Sequence, residues 1–260
     1  EDIHRKAKDF FDDVTLWHNK EYTKVIFDEV RICAENGDAE CMNAMGLFYI
    51  QGILLGKCYK EALAWFKLAA EHGFSRSVRN LALMYANGLG IEKNMSLAIE
   101  IINKIKECDA PIYYLSLGEI EKMAGRHEAA FENFRIAAEL GNARAKYFYG
   151  TYLLKGKCCG KNIMLGIKNI RSAAKEGIAP ACLLLARYHE KGFMEGGVKQ
   201  SNTLAVNNYK SAARDCSVKA QKRLAEIYRN GILGVSINQK ESFKCYLIAA
   251  ENGNYDAAFY

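Results

Sequence analysis

Proline is nearly missing from this chain: among 260 residues there are two, Pro111 and Pro180. Proline breaks helix interiors and stiffens linkers. Its scarcity excludes a rigid Pro-rich linker and favours long, uninterrupted helices, with both prolines falling in a first helical turn. Long apolar runs are absent too; none approaches the roughly 18 residues that a membrane-spanning helix needs. Histidine is sparse and scattered. His4, His18, His72, His127 and His189 include no metal-like pair at ligand spacing with a cysteine or with each other, so no metal is read from the spacing. The nine cysteines cannot all pair within one chain, which excludes a complete disulfide framework. Cys58, Cys108, Cys158, Cys159, Cys182, Cys216 and Cys245 follow no pattern and read as small buried residues of a reducing compartment. That favours the cytoplasm. The chain begins at Glu1 without an initiator Met, so a removed signal peptide and a periplasmic or secreted destination stay open.

One-signed charge is also modest. The formal net charge of +6 is evenly spread, too little to indicate nucleic acid but compatible with an acidic partner or with solubility alone. Half the residues are hydrophobic and a quarter charged, the balance of a folded protein.

What is abundant is a glycine–tyrosine–glycine rhythm with a period near 36 residues. Gly46, Tyr49 and Gly52 stand three apart, as do Ala82, Tyr85 and Gly88, and Ala225, Tyr228 and Gly231. Gly118, Gly150 and Ala186 head weaker copies. A parallel series of small pairs, such as Ala69-Ala70, Ala137-Ala138 and Ala249-Ala250, keeps the same spacing. Steps between the head residues are 36, 36, 32, 36 and 39, and the paired series lengthens and shortens with them. The short step coincides with the tight connection AGRHE; the long one coincides with GFMEGGVKQSN. A period of this length means stacked supersecondary units, none able to bury its apolar face alone. AECMNAMGLFYIQG reads as a first helix, and YKEALAWFKLAAEHG, after a glycine loop, as a second. The glycine clusters Gly88-Leu-Gly90 and GILLGKC mimic nucleotide loops but recur at the repeat's loop position, so they are structural. Cys158 and Cys159 lack a nearby histidine and make a weak nucleophile case.

The order Ala-x-x-x-Leu/Met-Gly-x-x-Tyr-x-x-Gly-x-Gly, then Ala-x-x-Trp/Phe-x-x-x-Ala-Ala-x-x-Gly, resembles Sel-1-like repeats, relatives of the tetratricopeptide repeat, over roughly residues 26 to 260. AGRHEAAFENFRIAAELG departs toward an ordinary tetratricopeptide repeat. The resemblance implies an all-α, right-handed α-α solenoid of antiparallel helix pairs. Residues 1–36 would be a capping helix pair, 37–253 six repeats, and 254–260 the start of a seventh unit or a terminal stub. It further implies a non-catalytic scaffold that binds other proteins, in bacterial signalling, secretion, effector–immunity pairing or envelope assembly. Cysteine-rich relatives carry a disulfide between cysteines eight apart, where Cys33 and Cys41 stand. Some of them interact with penicillin, which leaves an enzyme as the alternative; a glycan or anionic-polymer binder is another.

In such solenoids the first helices line the binding face. The slots six and three before the small residue, and one and four or five after it, hold nine basic residues against three acidic. We therefore expect an acidic or extended peptide to be held by Arg76, Arg79, Arg144, Arg187, Lys219 and Lys222. Leu83, Leu115, Tyr147 and Leu183 would be its apolar anchors. No cofactor is implied.

Overall fold

The computed structural model describes residues 2–13, 16–17, 19–214 and 217–251; His18, Cys216 and the segment 254–260 fall outside them. The described residues form fourteen α-helices and no strand. They fall into two compact units, one closing at Ala145 and the other running from Lys146 onward.

The first unit opens with α1 (Ile3–Asp12) and α2 (Lys20–Glu35). Three helix pairs follow. These are α3 (Ala39–Gln51) with α4 (Tyr59–Glu71), α5 (Ser75–Asn87) with α6 (Met95–Asn103), and α7 (Ala110–Met123) with α8 (His127–Glu139). The second unit pairs most of α9 (Ala143–Lys155) with α10 (Ile163–Lys175), α11 (Ala179–Lys191) with α12 (Asn202–Arg214), and α13 (Val218–Asn230) with α14 (Gln239–Glu251). Each unit is thus a stack of antiparallel helix pairs, the all-α solenoid fold class expected from the period.

The small residue of each first helix is needed because an aromatic or branched side chain of the second helix presses on it. At Gly118 an added Cβ would lie 2.7 Å from the ring of Phe134, well inside van der Waals contact. Ala82, Ala186 and Ala225 fill the equivalent places with no exposed surface. The buried Phe66 and Phe134, and Ile102, Ile170 and Tyr209, are the knobs of this packing. Burying one such side chain contributes about 1.5–3 kcal/mol.

The residue three after each small one closes the loop by its backbone carbonyl. Tyr49 accepts from Cys58 N–H at 3.1 Å, Tyr85 from Asn94 at 2.8 Å, and Glu121 from Arg126 at 2.9 Å. Leu153, His189 and Tyr228 accept from Asn162, Ser201 and Asn238 in the same way, at 3.0, 2.8 and 2.8 Å. Each donor stands at the entry to a second helix. Because a backbone group makes the bond, the tyrosine can drift to Glu, Leu or His without loss of the closure. In the long fifth loop an antiparallel bridge between Phe193 and Val198 encloses a turn of 3-10 helix at Met194–Gly196. In the second repeat, where Ile105-Lys106 replaces the alanine pair, α6 stops at Asn103, and Ile105 buries from a turn.

Outside the repeats, Phe10 stacks on Phe48 at 5.5 Å and Phe11 meets the same ring edge-on at 4.9 Å. Trp17 donates its indole N–H to the Phe10 carbonyl at 2.9 Å. The helices α1 and α2 are thereby packed on the first pair around Ile26, Val30 and Ala34.

Candidate functional site

In the first unit the first-helix face is largely self-satisfied. Ser77 and Asn80 on α5 donate to Asn43 Oδ1 on α3, at 2.9 and 3.0 Å. Glu119 on α7, 12% exposed, takes Arg79 at 2.7 Å on one oxygen and Arg144 at 3.2 Å on the other. Two of the expected cations are therefore spent on the chain's own carboxylate. Only Arg76 of this group stands exposed without an ion-pair partner among the described residues. Leu83 is half-buried. Leu115 is not an anchor: it is 4% exposed and lies in the core. Its slot, three before the small residue, faces the seam between neighbouring helices. A leucine there sinks inward, whereas a long Arg or Lys snorkels out. Tyr147, in the same slot of α9, is half-buried against the cluster around Ile170 and Ala173.

In the second unit four expected residues converge. Leu183 and Arg187 on α11 and Lys219 and Lys222 on α13 line one groove of about 780 Å³. Tyr188, Lys191 and Phe193 also line it, and the rings of Tyr188 and Phe193 stack at 4.5 Å. Its wall is a network that the slot rule did not reveal. Tyr209 on α12 donates to Glu190 Oε2 at 2.6 Å, Arg223 on α13 bonds the other Glu190 oxygen, and Arg223 also reaches Glu226 at 2.7 Å. Burial works against the Glu190 carboxylate, but the hydrogen bonds from Arg223 and Tyr209 and the charges of Arg223 and Lys191 prevail. Its pKa is held below the usual carboxylate value. The Tyr209 phenol is pushed up, first by burial and then by its bond to Glu190. The network shares one guanidinium between two carboxylates and so keeps a single negative charge in the groove's wall. Arg187, Lys191, Lys219 and Lys222 remain without ion-pair partners among the described residues. The result is a partly apolar groove rimmed by four unpaired cations.

Cys33, at the end of α2, and Cys41, in the first turn of α3, come together as unbonded thiols, the first half-buried and the second buried. Burial raises the Cys159 thiol, which leaves it a poor nucleophile.

Stacked antiparallel helix pairs define the class of α-solenoid repeat proteins. Within that class, the chain belongs to the Sel1 repeat family, whose profile matches residues 39–74, 75–104, 113–142, 143–178, 179–215 and 218–254. Proteins of this family generally mediate protein–protein interaction and are generally non-catalytic. Chitin synthase regulatory factor 3 of Schizosaccharomyces pombe is 27% identical over 226 residues, 84% of this chain but 20% of that protein. The exopolysaccharide production negative regulator of Rhizobium meliloti is 26% identical over 158 residues, 56% of this chain and 59% of its own length. The chain therefore spans about a fifth of the first relative and under two thirds of the second. Among solved structures, a Sel1 repeat protein from Oxalobacter formigenes is 27% identical, with a TM-score of 0.59 over 83% of this chain and 88% of that one. An immunity protein from Pseudomonas aeruginosa shares the fold at 21% identity, TM-score 0.61, covering 84% of this chain and 82% of its own.

Proposed function

We propose that this protein is an adaptor that captures an acidic, extended segment of a partner protein in the groove between α11 and α13. The observation that carries this reading is the set of four unpaired cations, Arg187, Lys191, Lys219 and Lys222, around Leu183 and the stacked Tyr188–Phe193 pair. Arginine grips carboxylates with two bonds, lysine supplies a mobile point charge, and the apolar floor takes side chains between the acidic ones. The wall network holds the groove's shape by its own hydrogen bonds and leaves the rim cations outside any ion pair. One relative is named a chitin synthase regulatory factor and another an exopolysaccharide production negative regulator, and regulation is a role consistent with a non-catalytic adaptor. The expected partner face contracts from the whole run of first helices to this groove, because Arg79 and Arg144 are engaged by Glu119.

The test is an acidic peptide library screened against the full chain and against the triple variant Arg187→Glu, Lys219→Glu, Lys222→Glu. Selection of acidic peptides by the wild type, lost in the variant, is the expected result. Retained binding with unchanged salt dependence would refute the groove. Binding of an anionic polysaccharide with no peptide preference would replace the peptide reading by the polymer one.

A further inference from the structure

A second site stands at the other end of the chain and is independent of the groove. The side chains of His4 on α1, Cys33 on α2, and Asp38 and Cys41 at the start of α3 each offer one donor atom, and the four donors lie within 4.8 Å of one another. Chain spacing conceals this set, since His4 lies on a separate helix. We propose that these four residues form a structural site for a borderline-soft divalent cation of the zinc class, which clips α1 to the α2–α3 hairpin.

Local structure prepares the site. The turn between α2 and α3 reverses at Gly37, φ 95°, and Asp38 N–H returns to the Cys33 carbonyl at 3.3 Å. This reversal sets Cys33 over the first turn of α3. Asp38 divides its oxygens: Oδ1 caps α3 by accepting Cys41 N–H at 2.8 Å, and Oδ2 faces His4 Nε2 at 3.2 Å. The other imidazole nitrogen, Nδ1, lies 3.4 Å from Glu40 Oε2. A carboxylate behind the far ring nitrogen is the usual support of a metal-bound histidine, because it fixes the tautomer and makes the ligating nitrogen more basic.

The donor set decides the metal. Two sulfurs and an imidazole disfavour magnesium and calcium, which take oxygen, and suit zinc in tetrahedral coordination. With zinc–sulfur bonds of about 2.3 Å and zinc–nitrogen and zinc–oxygen bonds of about 2.0 Å, ligand atoms in a filled tetrahedron are about 3.3–3.8 Å apart. From within 4.8 Å the donors therefore close by about 1–1.5 Å at most, within the reach of side-chain rotation for the partly exposed His4. Four protein ligands leave no open position, the mark of a structural site rather than a catalytic one. An open depression beside Cys33 and Asp38, bordered by Ile3 and Lys6, gives a cation a way in from solvent. Such a clip has a purpose in the fold. The ten-residue α1 is too short to be stable alone, and Phe10 and Phe11 reach the first repeat only if it holds.

The full chain, reduced with a phosphine and freed of metal by a chelator, is titrated with Co2+ and then Zn2+. The expected result is one cobalt per chain. Thiolate-to-cobalt charge-transfer bands and tetrahedral ligand-field bands should appear and then vanish as zinc displaces cobalt, and zinc should raise the Tm. Cys33→Ser should abolish the charge-transfer intensity in part, and Cys33→Ser with Cys41→Ser entirely. Glu40→Gln should weaken binding about tenfold. His4→Ala should weaken it further, remove the zinc-dependent Tm rise and leave the helical circular dichroism intact. Cys158→Ser with Cys159→Ser should bind as the wild type. If buried Cys41 does not tolerate serine, the half-buried His4 and Cys33 variants carry the test. Absence of charge-transfer bands in the reduced wild type, or unchanged cobalt binding by His4→Ala or Cys33→Ser, overturns the site.

Discussion

At the scale of single residues, Glu190 shows how the groove keeps its cations available. A carboxylate 15% exposed beside so many lysines and arginines would attract the rim, but Arg223 and Tyr209 occupy both of its oxygens. Its pKa is lowered from the ordinary 4.5, so the folded state is stabilised by its ionised form. That contribution is present above the unfolded value and is lost as pH falls through the folded one. Denaturant midpoints should therefore drop below about pH 4.5 in the wild type and drop less in Glu190→Gln. At neutral pH the variant should be less stable by about 2 kcal/mol, the typical worth of a hydrogen bond to a charged group. If the acid limbs of the two proteins superimpose, Glu190 does not carry this term. Gly118 makes the opposite kind of prediction, steric rather than electrostatic. Gly118→Ala gains helix propensity of up to about 1 kcal/mol but drives a methyl to 2.7 Å from the Phe134 ring. Overpacking of this kind costs about 1–3 kcal/mol, so the net change is a loss. Combining it with Phe134→Leu should give a non-additive double-mutant cycle, because the two residues share one space.

At the scale of elements, each repeat is a helix pair whose loop is closed by the main chain, and in four of the six a side chain also caps the start of the second helix; Cys58 and Arg126 give α4 and α8 no such cap. Asn94 and Asn162 accept the N–H three residues on, from Leu97 at 2.9 Å and Leu165 at 3.0 Å, and Asn238 does the same for Glu241 at 3.0 Å. Each Asn→Ala change should lower stability by about 1 kcal/mol, measured by urea unfolding. Equal losses of zero at all three would show that the caps are dispensable once the backbone bonds form. The same division explains what the sequence disclosed. Gly46, Gly118 and the alanine pairs mark where backbones approach, a constraint repeated in every copy and hence visible as a period. The failure of α6 beyond Asn103 was visible only as a decayed marker at Ile105-Lys106. The groove was half legible. Arg187 and Lys222 came from slots on single helices, but Glu190, Tyr209 and Arg223 meet from α11, α12 and α13. No pattern along one helix reports a junction of three. Leu115 misled for a related reason: its slot is a seam, and the side chain's own chemistry decides whether it sinks or emerges. His4, distant in sequence from Cys33 and Cys41, escaped any test of ligand spacing.

At the scale of the whole molecule, a net charge of +6 on 260 residues is too weak to steer an acidic partner by itself, so binding must depend on where the unpaired cations are concentrated. That dependence separates a groove from a generally basic surface. Partly exposed charge pairs contribute about 0.2–1 kcal/mol each, and reversal replaces an attraction by a repulsion of similar size. Reversing Arg187, Lys219 and Lys222 should then cost about 3 kcal/mol, near a hundredfold in Kd for an acidic peptide. Arg76→Glu changes the net charge in the same direction at an exposed first-helix position outside the groove. It should leave the Kd within about twofold, because Arg76 is not among the residues that line the groove. The comparison is made by calorimetry at two salt concentrations. For a groove, the triple variant loses most of the wild-type salt dependence while Arg76→Glu keeps it. If each reversed charge instead weakens binding equally wherever it lies, the partner reads net charge alone, and the convergence of Leu183, Arg187, Lys219 and Lys222 has no part in recognition.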